Sequence, residues 1–119
     1  MVEPIDFKNE NIIGLRIDGK ITEKEFEKVA SFCEERLQEY EHIRLYAKLE
    51  SFEGIEPGAF LKDIMFGIRH WQQIEKEALI TDQQWMQKIA DAADRLFPNI
   101  EVRTFPLEEE KWAKKWIQE

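Results

Sequence analysis

The sequence predicts an α/β fold: a single mixed, mostly parallel five-stranded sheet with about four helices mainly packed on one face. Three observations carry this. Stretches of period-two apolar alternation succeed stretches of helical spacing along the chain, and such interleaving implies parallel pairing through right-handed crossovers. The outer strands alternate apolar and polar residues, whereas strands buried on both faces read as continuous apolar runs. Finally, 119 residues with 43% hydrophobic content suit one domain spanning 1–119 with a proper core.

The elements follow in order. Residues 1 to 7 add a short edge strand, turning through Lys8 to Glu10. Residues 11 to 18, NIIGLRID, place Ile13, Leu15 and Ile17 on one side and Gly14, Arg16 and Asp18 on the other, which reads as a half-buried strand. Gly19 breaks the chain, and Thr22 to Glu25 spells a capping box. The helix after it runs to about Tyr40, with Phe26, Val29, Ala30, Cys33 and Leu37 at helical spacing. Residues 43 to 49, IRLYAKL, turn Ile43, Leu45, Ala47 and Leu49 inward. ESFEGIEPG is a loop, and Pro57 suits the first turn of a helix over 57 to 73. Ala78 to Ile80 is a short apolar run of the kind a central strand shows. Thr81 or Asp82 caps a helix carrying Trp85, Met86, Ile89, Ala93 and Leu96, which Pro98 and Asn99 end. IEVRTF, 100 to 105, alternates once more. The last helix, 107 to 118, opens with Glu108 to Glu110 and continues with Lys111, Lys114 and Lys115, an order that suits the helix dipole. Its stripe is Trp112, Ala113, Trp116 and Ile117, and Trp85, Trp112 and Trp116 are all expected on inner faces.

Charge narrows the function. The formal net charge is −8 and the pI is near 4.9. An acidic body repels phosphate backbones, and no local basic patch offsets it, so nucleic acid is not an expected partner. The one cysteine, Cys33, precludes an internal disulfide framework and fits a reducing cytoplasm. It falls on an apolar helical stripe, as an inert core thiol does. The N-terminal stretch is too acidic for a signal peptide, and no window approaches the ~18 apolar residues of a spanning helix. A P-loop, G-x-G-x-x-G and G-x-S-x-G are all missing from the sequence, so no cofactor is expected and an enzyme is disfavoured.

The chain resembles the small bacterial SpoIIAA-like proteins, grouped with STAS domains and with the CRAL-TRIO-like fold. The residues that carry the resemblance are Phe52 to Gly54, the F-G-x-x-H piece at Phe66 to His70, I-T-D-x-x-W at Ile80 to Trp85, E-V-R-x-F at Glu101 to Phe105 and the capped segment Gly19 to Glu23. It extends over nearly the whole chain and implies a fold more than an activity. The STAS relatives that act as anti-sigma-factor antagonists carry a phosphorylated Ser at the start of the helix after the third strand. The matching residues, Ile55 to Ala59, hold no Ser or Thr, and the nearest hydroxyl is Ser51. The phospho-switch role is therefore not carried over, although Glu56 is placed to imitate a permanent charge.

Candidate sites remain. Ligands of open α/β sheets bind beyond the carboxyl ends of the strands, where Glu50, Ser51, Glu53, Glu56, Thr81, Asp82 and Thr104 lie. Their spacing matches no calcium loop, and His42 and His70 have no ligand spacing, so no metal is expected. The helix at 57 to 73 is more informative. In FLKDIMFGIRHW, residues 60 to 71, one stripe contains Phe60, Leu61, Ile64, Ile68 and Trp71 and would face the sheet. Met65 lies at its edge, and Phe66 points away beside Gly67, which costs a helix interior about 1 kcal/mol relative to Ala. Met adapts to irregular surfaces, and glycine permits close approach or a hinge. Met65, Phe66, Gly67, Arg69 and His70, joined by Phe32, are the expected ligand- or partner-binding residues.

Three roles follow. The first is a non-enzymatic binding or regulatory module using this apolar surface, with a protein partner or a second copy as its target. It expects a compact core with no internal cavity. The second is a carrier or sensor of a small hydrophobic ligand, held between this helix and the sheet, in a protein that is cytoplasmic or peripheral to a membrane. It expects an apolar cavity. The third is an enzyme built on strand-end acids, which requires a buried, perturbed carboxylate in a cleft.

Overall fold

A computed structural model describes the backbone of residues 1–119 and every side chain except that of Ile64. The elements run β1 (Val2–Ile5), β2 (Ile12–Ile21), α1 (Glu23–Glu39), β3 (Ile43–Ile55), α2 (Pro57–His70), β4 (Ile74–Ile80), α3 (Gln84–Leu96), β5 (Glu101–Phe105) and α4 (Glu110–Gln118). Strand order is β1-β2-β3-β4-β5; β1 is antiparallel to β2 and every other pair is parallel. The predicted fold class is the observed one.

Three strands are longer than expected: β4 starts at Ile74, not Ala78, and β2 and β3 run on past their expected ends. Gly19 does not end β2, and ESFEGI is strand, not loop. Gly19 adopts φ +71° and Gly54 φ +117°, the left-handed region that costs glycine little. They sit in neighbouring rungs of an irregular stretch, Gly19 opposite Phe52 and Lys20 opposite Gly54. The register shift there lets pairing resume as far as Ile21 and Ile55, and it buries Phe52. At the other end of the sheet, Gly14 lets β1 approach. A Cβ there would lie 2.5 Å from the Ile5 carbonyl oxygen.

Helices α1, α2 and α3 cover one face, over Ile13, Leu15 and Ile17 of β2 and Leu45 and Leu49 of β3. Helix α4 covers the other, over Ile12, Tyr46, Ala78 and Ile80. Strand side chains hold α4 at both ends. Tyr46 Oη and Lys48 Nζ each reach the Glu110 carboxylate at 3.1 Å. Arg44 Nη1 donates to the Ile117 carbonyl at 2.8 Å and Lys76 Nζ to the Trp116 carbonyl at 3.1 Å, so cations meet the negative end of the helix. Trp116 is buried, with Lys76 and Arg103 against its ring. Trp112 is exposed, contrary to expectation, because α4 lies flat on the sheet along Ala113, Trp116 and Ile117.

The capping box of α1 forms in full, Thr22 with Glu25. The expected cap of α3 does not. Asp82 instead accepts from the Leu107 amide, Thr81 accepts from the Gln83 amide, and Gln83 is the N-cap.

Helix α2 ends at His70, followed by a 3₁₀ turn over Trp71–Gln73, and its rotation is opposite to that expected. Ala59 and Phe66 are buried, while Leu61, Met65 and Ile68 are each more than half exposed. The side chain of Ile64, also assigned to the inner stripe, lies outside the described residues. The reason is on the flank that faces α1. Lys62 pairs with Glu23 and Glu27, and Arg69 and His70 reach Glu34, all three acids lying on one side of α1. With that flank committed, Ala59, Asp63, Phe66 and His70 turn toward the sheet. Gly67 gives neither close packing nor a break: the helix is continuous, and an added Cβ would find only the Phe97 ring at 4.0 Å. Gly67→Ala is therefore expected to raise stability by up to about 1 kcal/mol in urea unfolding. Phe66→Ala is expected to lower it by about 3 kcal/mol or more, as loss of a core aromatic does.

Candidate functional site

Between the sheet and its three-helix layer lies a cavity of about 210 Å³. Its floor is apolar strand surface, including Leu15, Ala47 and Leu79. Phe26 and Cys33 of α1, Phe66 of α2 and Met86 of α3 line its sides. Phe60, Trp85 and Ile89 also line it and remain close to half exposed, at 45%, 46% and 44%, so the opening lies between α2 and α3. Trp85, expected in the core, stands at this opening and stacks on Phe52 with ring centroids 5.9 Å apart. It cannot bury itself because α3 turns Ala90 and Met86 toward the sheet.

Two carboxylates interrupt the hydrocarbon lining: Asp63 of α2 and Glu77 of β4. Among the described residues, neither makes a hydrogen bond or an ion pair. The lining contains no Lys, Arg or His. Asp63 keeps open surface and Glu77 is half-buried, yet burial pushes the first up to about 6 and the second up to about 7, with the Asp63 charge adding to the rise at Glu77. Open surface and strong desolvation coexist because both groups front a cavity that reaches solvent but is walled by apolar atoms. Cys33 shares this lining. Burial pushes its thiol up to about 12, with Glu34, Glu77 and Asp63 adding to the rise, so it is no nucleophile near neutrality.

The expected site residues are only partly gathered here. Phe66 enters the cavity wall and packs on the His70 ring at 4.7 Å, so it is not a surface residue. Met65 is exposed on the outer side of α2. Gly67 and Arg69 lie on opposite flanks of α2, toward Phe97 and Glu34 respectively. His70 bonds Gln73 through Nδ1, at 2.8 Å, with Nε2 3.6 Å from Glu34. Phe32 lies under the Arg36 guanidinium, whose other contact is Glu10, on the side of α1 turned away from α2. It therefore shares no patch with α2.

Glu50 and Glu56, two of the strand-end acids, are engaged locally. Glu50 pairs with Lys48 at 2.8 Å, and Glu56 accepts the Glu23 amide at 2.8 Å, at the start of α1. Thr81, Asp82 and Thr104 border a separate shallow polar groove. Among the described residues, no group of three or more His, Cys, Asp or Glu is arranged to hold a metal ion, and no helix is long and apolar enough to cross a membrane.

Asp63 and Glu77 were not anticipated, although Glu77 left a trace: in IEKEALI it shares the strand parity of Leu79, an acid on an inward face. Asp63 stands in helical register with Ala59, Phe66 and His70, but that stripe was too polar to be taken as the inner one.

The SpoIIAA-like family model matches residues 12–118. The chain is also similar to an uncharacterised DUF3478-family protein with a SpoIIAA-like fold from Shewanella loihica PV-4, whose crystal structure superposes with a TM-score of 0.76 at 18% identity. That match covers 98% of this chain and 92% of the other. It establishes the shared fold alone. No curated protein matches the chain.

The raised carboxylates make stability depend on pH. A carboxyl that holds its proton more tightly in the folded chain contributes fully at acid pH. That contribution is lost as pH rises through its folded value, here about 6 for Asp63 and about 7 for Glu77. Glu77→Gln removes part of the loss. Urea unfolding is expected to show a gain on the order of 1 kcal/mol at mildly alkaline pH, discounted for water reaching the cavity, and a flatter profile between acid and neutral pH.

Proposed function

The chain belongs to the SpoIIAA-like family, and we propose that it is a non-enzymatic binding module that takes a small apolar ligand into the cavity beneath α1, α2 and α3. Membership of the family is in keeping with a regulatory or binding module in general. The observation that carries the specific role is the cavity: about 210 Å³, hydrocarbon-lined and open at one side. An engineered apolar void of about 150 Å³ already binds benzene, and natural ligand sites are concave, largely apolar and furnished with a few polar groups. Asp63 and Glu77 are such groups here.

Paired acids of raised pKa also occur in hydrolases, which gives a catalytic role its one supporting observation. A binding role is favoured because the lining has no His, Lys, Arg, Ser or Thr to act with them, its one hydroxyl, that of Tyr46, is bonded to Glu110, and the glycosidases that use two carboxylates act on polar substrates. The lone, buried thiol is in keeping with a cytoplasmic location. Arrival from a membrane surface fits the position of Phe60, Trp85 and Ile89 at the opening.

A second role rests on a different observation. Leu61, Met65 and Ile68 form an uncovered apolar band along the outer side of α2, suited to a protein partner or a second copy.

N-phenyl-1-naphthylamine, an uncharged apolar dye, is expected to bind the wild-type chain saturably, one per chain, with enhanced fluorescence. Ala47→Phe fills the cavity floor and is expected to weaken this about tenfold or more, with circular dichroism verifying the fold. Wild-type protein that shows no saturable binding overturns the ligand-binding role. For the outer band, Met65→Asp is expected to abolish any concentration-dependent rise in sedimentation coefficient while changing stability by less than about 1 kcal/mol, as for an exposed site.

A further inference from the structure

We propose that the ligand is an amphiphile with a protonated amine head, held between Asp63 and Glu77 with its hydrocarbon tail along the apolar floor. The inference rests on the binding role above and specifies the chemistry of the ligand.

It begins from what these carboxylates lack. Acids facing an apolar interior are ordinarily paired with a cation or bonded by donors. Neither Asp63 nor Glu77 has such a partner among the described residues. Every other titratable side chain of the lining adds to the problem or stands apart from it. From α1 comes Cys33, an uncharged thiol. From β3 comes Tyr46, whose hydroxyl is bonded to Glu110 on the opposite face. The lining residues of β2 and α3 are all uncharged. Lys62 and Arg69, the cations of α2 nearest in sequence, are taken by Glu23, Glu27 and Glu34 of α1. The chain thus places two acids in the lining of one greasy space and supplies no counter-charge there.

Ligand classes divide on that arrangement. A carboxylate-headed lipid brings a third negative charge to the same point. An alcohol satisfies one hydrogen bond and leaves the charges uncompensated. Mg²⁺ or Ca²⁺ calls for six or more oxygens and Zn²⁺ for about four ligands, whereas among the described residues no three His, Cys, Asp or Glu are arranged to hold a metal ion. A primary ammonium carries three donors and one positive charge on a compact head, so it offers these carboxylates both a counter-charge and hydrogen bonds while its chain replaces water against Ala47 and Leu79. Binding then ionises whichever carboxyl was protonated: the carboxyl O–H bond breaks, its electron pair stays on oxygen, and the proton leaves to buffer.

Three six-carbon probes separate these possibilities by isothermal titration calorimetry near neutral pH: hexylamine, hexan-1-ol and hexanoate. Hexylamine is expected to bind about tenfold or more tighter than hexan-1-ol, and hexanoate weakest. Repeating the hexylamine titration in buffers of different ionisation enthalpy is expected to show proton release, which hexan-1-ol does not produce. In Glu77→Gln the amine-to-alcohol ratio is expected to fall about tenfold; Asp63→Asn gives the same reading from the helix side should the first variant fold poorly. Equal binding of amine and alcohol overturns the amine head and leaves the apolar cavity role standing. Preference for hexanoate also overturns it. Failure of all three probes to bind, together with failure of the dye, overturns both.

Discussion

Helix α2 carries apolar side chains around most of its circumference, so burial alone does not choose the face it turns inward. The choice is made at its flank. Lys62 and Arg69 lie on one side and meet three acids spaced along one side of α1. Each pair is partly exposed and worth little by itself. Their effect is directional: they favour the same rotation that buries Ala59 and Phe66. That rotation brings Asp63 into the cavity lining and leaves Leu61, Met65 and Ile68 in water.

The two faces of the sheet solve different problems. On the α4 side, the polar residues of the strands are consumed in holding a helix. Arg44 and Lys76 take its terminal carbonyls, and Tyr46 and Lys48 take Glu110. On the other side, the strand residues are almost all apolar, and the helices above them stand apart between α2 and α3. A tightly clasped face and a loosely filled one therefore share one sheet. The loosely filled face is where a guest molecule can be accommodated without unfolding its host.

Within that space the energetic conflict is concentrated at Asp63 and Glu77. Desolvation opposes the charge of both and Asp63 further opposes that of Glu77, while no cation in the lining relieves them. Such unresolved polarity lowers the stability of the empty protein and is retained where it serves recognition. The bound head group would supply the compensation that the fold withholds.

Much of the architecture was legible in the residues themselves. Period-two alternation located β2, β3 and β5, the apolar run Ala78–Ile80 located β4, the Thr22–Glu25 box located the start of α1, and the stripe Phe26, Val29, Ala30, Cys33 and Leu37 identified its inner face. The resemblance carried by Phe52–Gly54, Phe66–His70 and Ile80–Trp85 pointed to the right family. What escaped were features set by partners distant in the chain. The extensions through Gly19 and Gly54 depend on two strands sharing one irregularity. The exposure of Trp85 and Trp112 depends on how α3 and α4 lie on the sheet. The inward face of α2 depends in part on acids 35 or more residues earlier. Local pattern records how much apolar surface an element has and its period, and these settled strands, helices and fold class. Which side of α2 is covered, and hence that Asp63 shares a greasy cavity with Glu77, is a matter of contacts between elements, which only the tertiary structure decided.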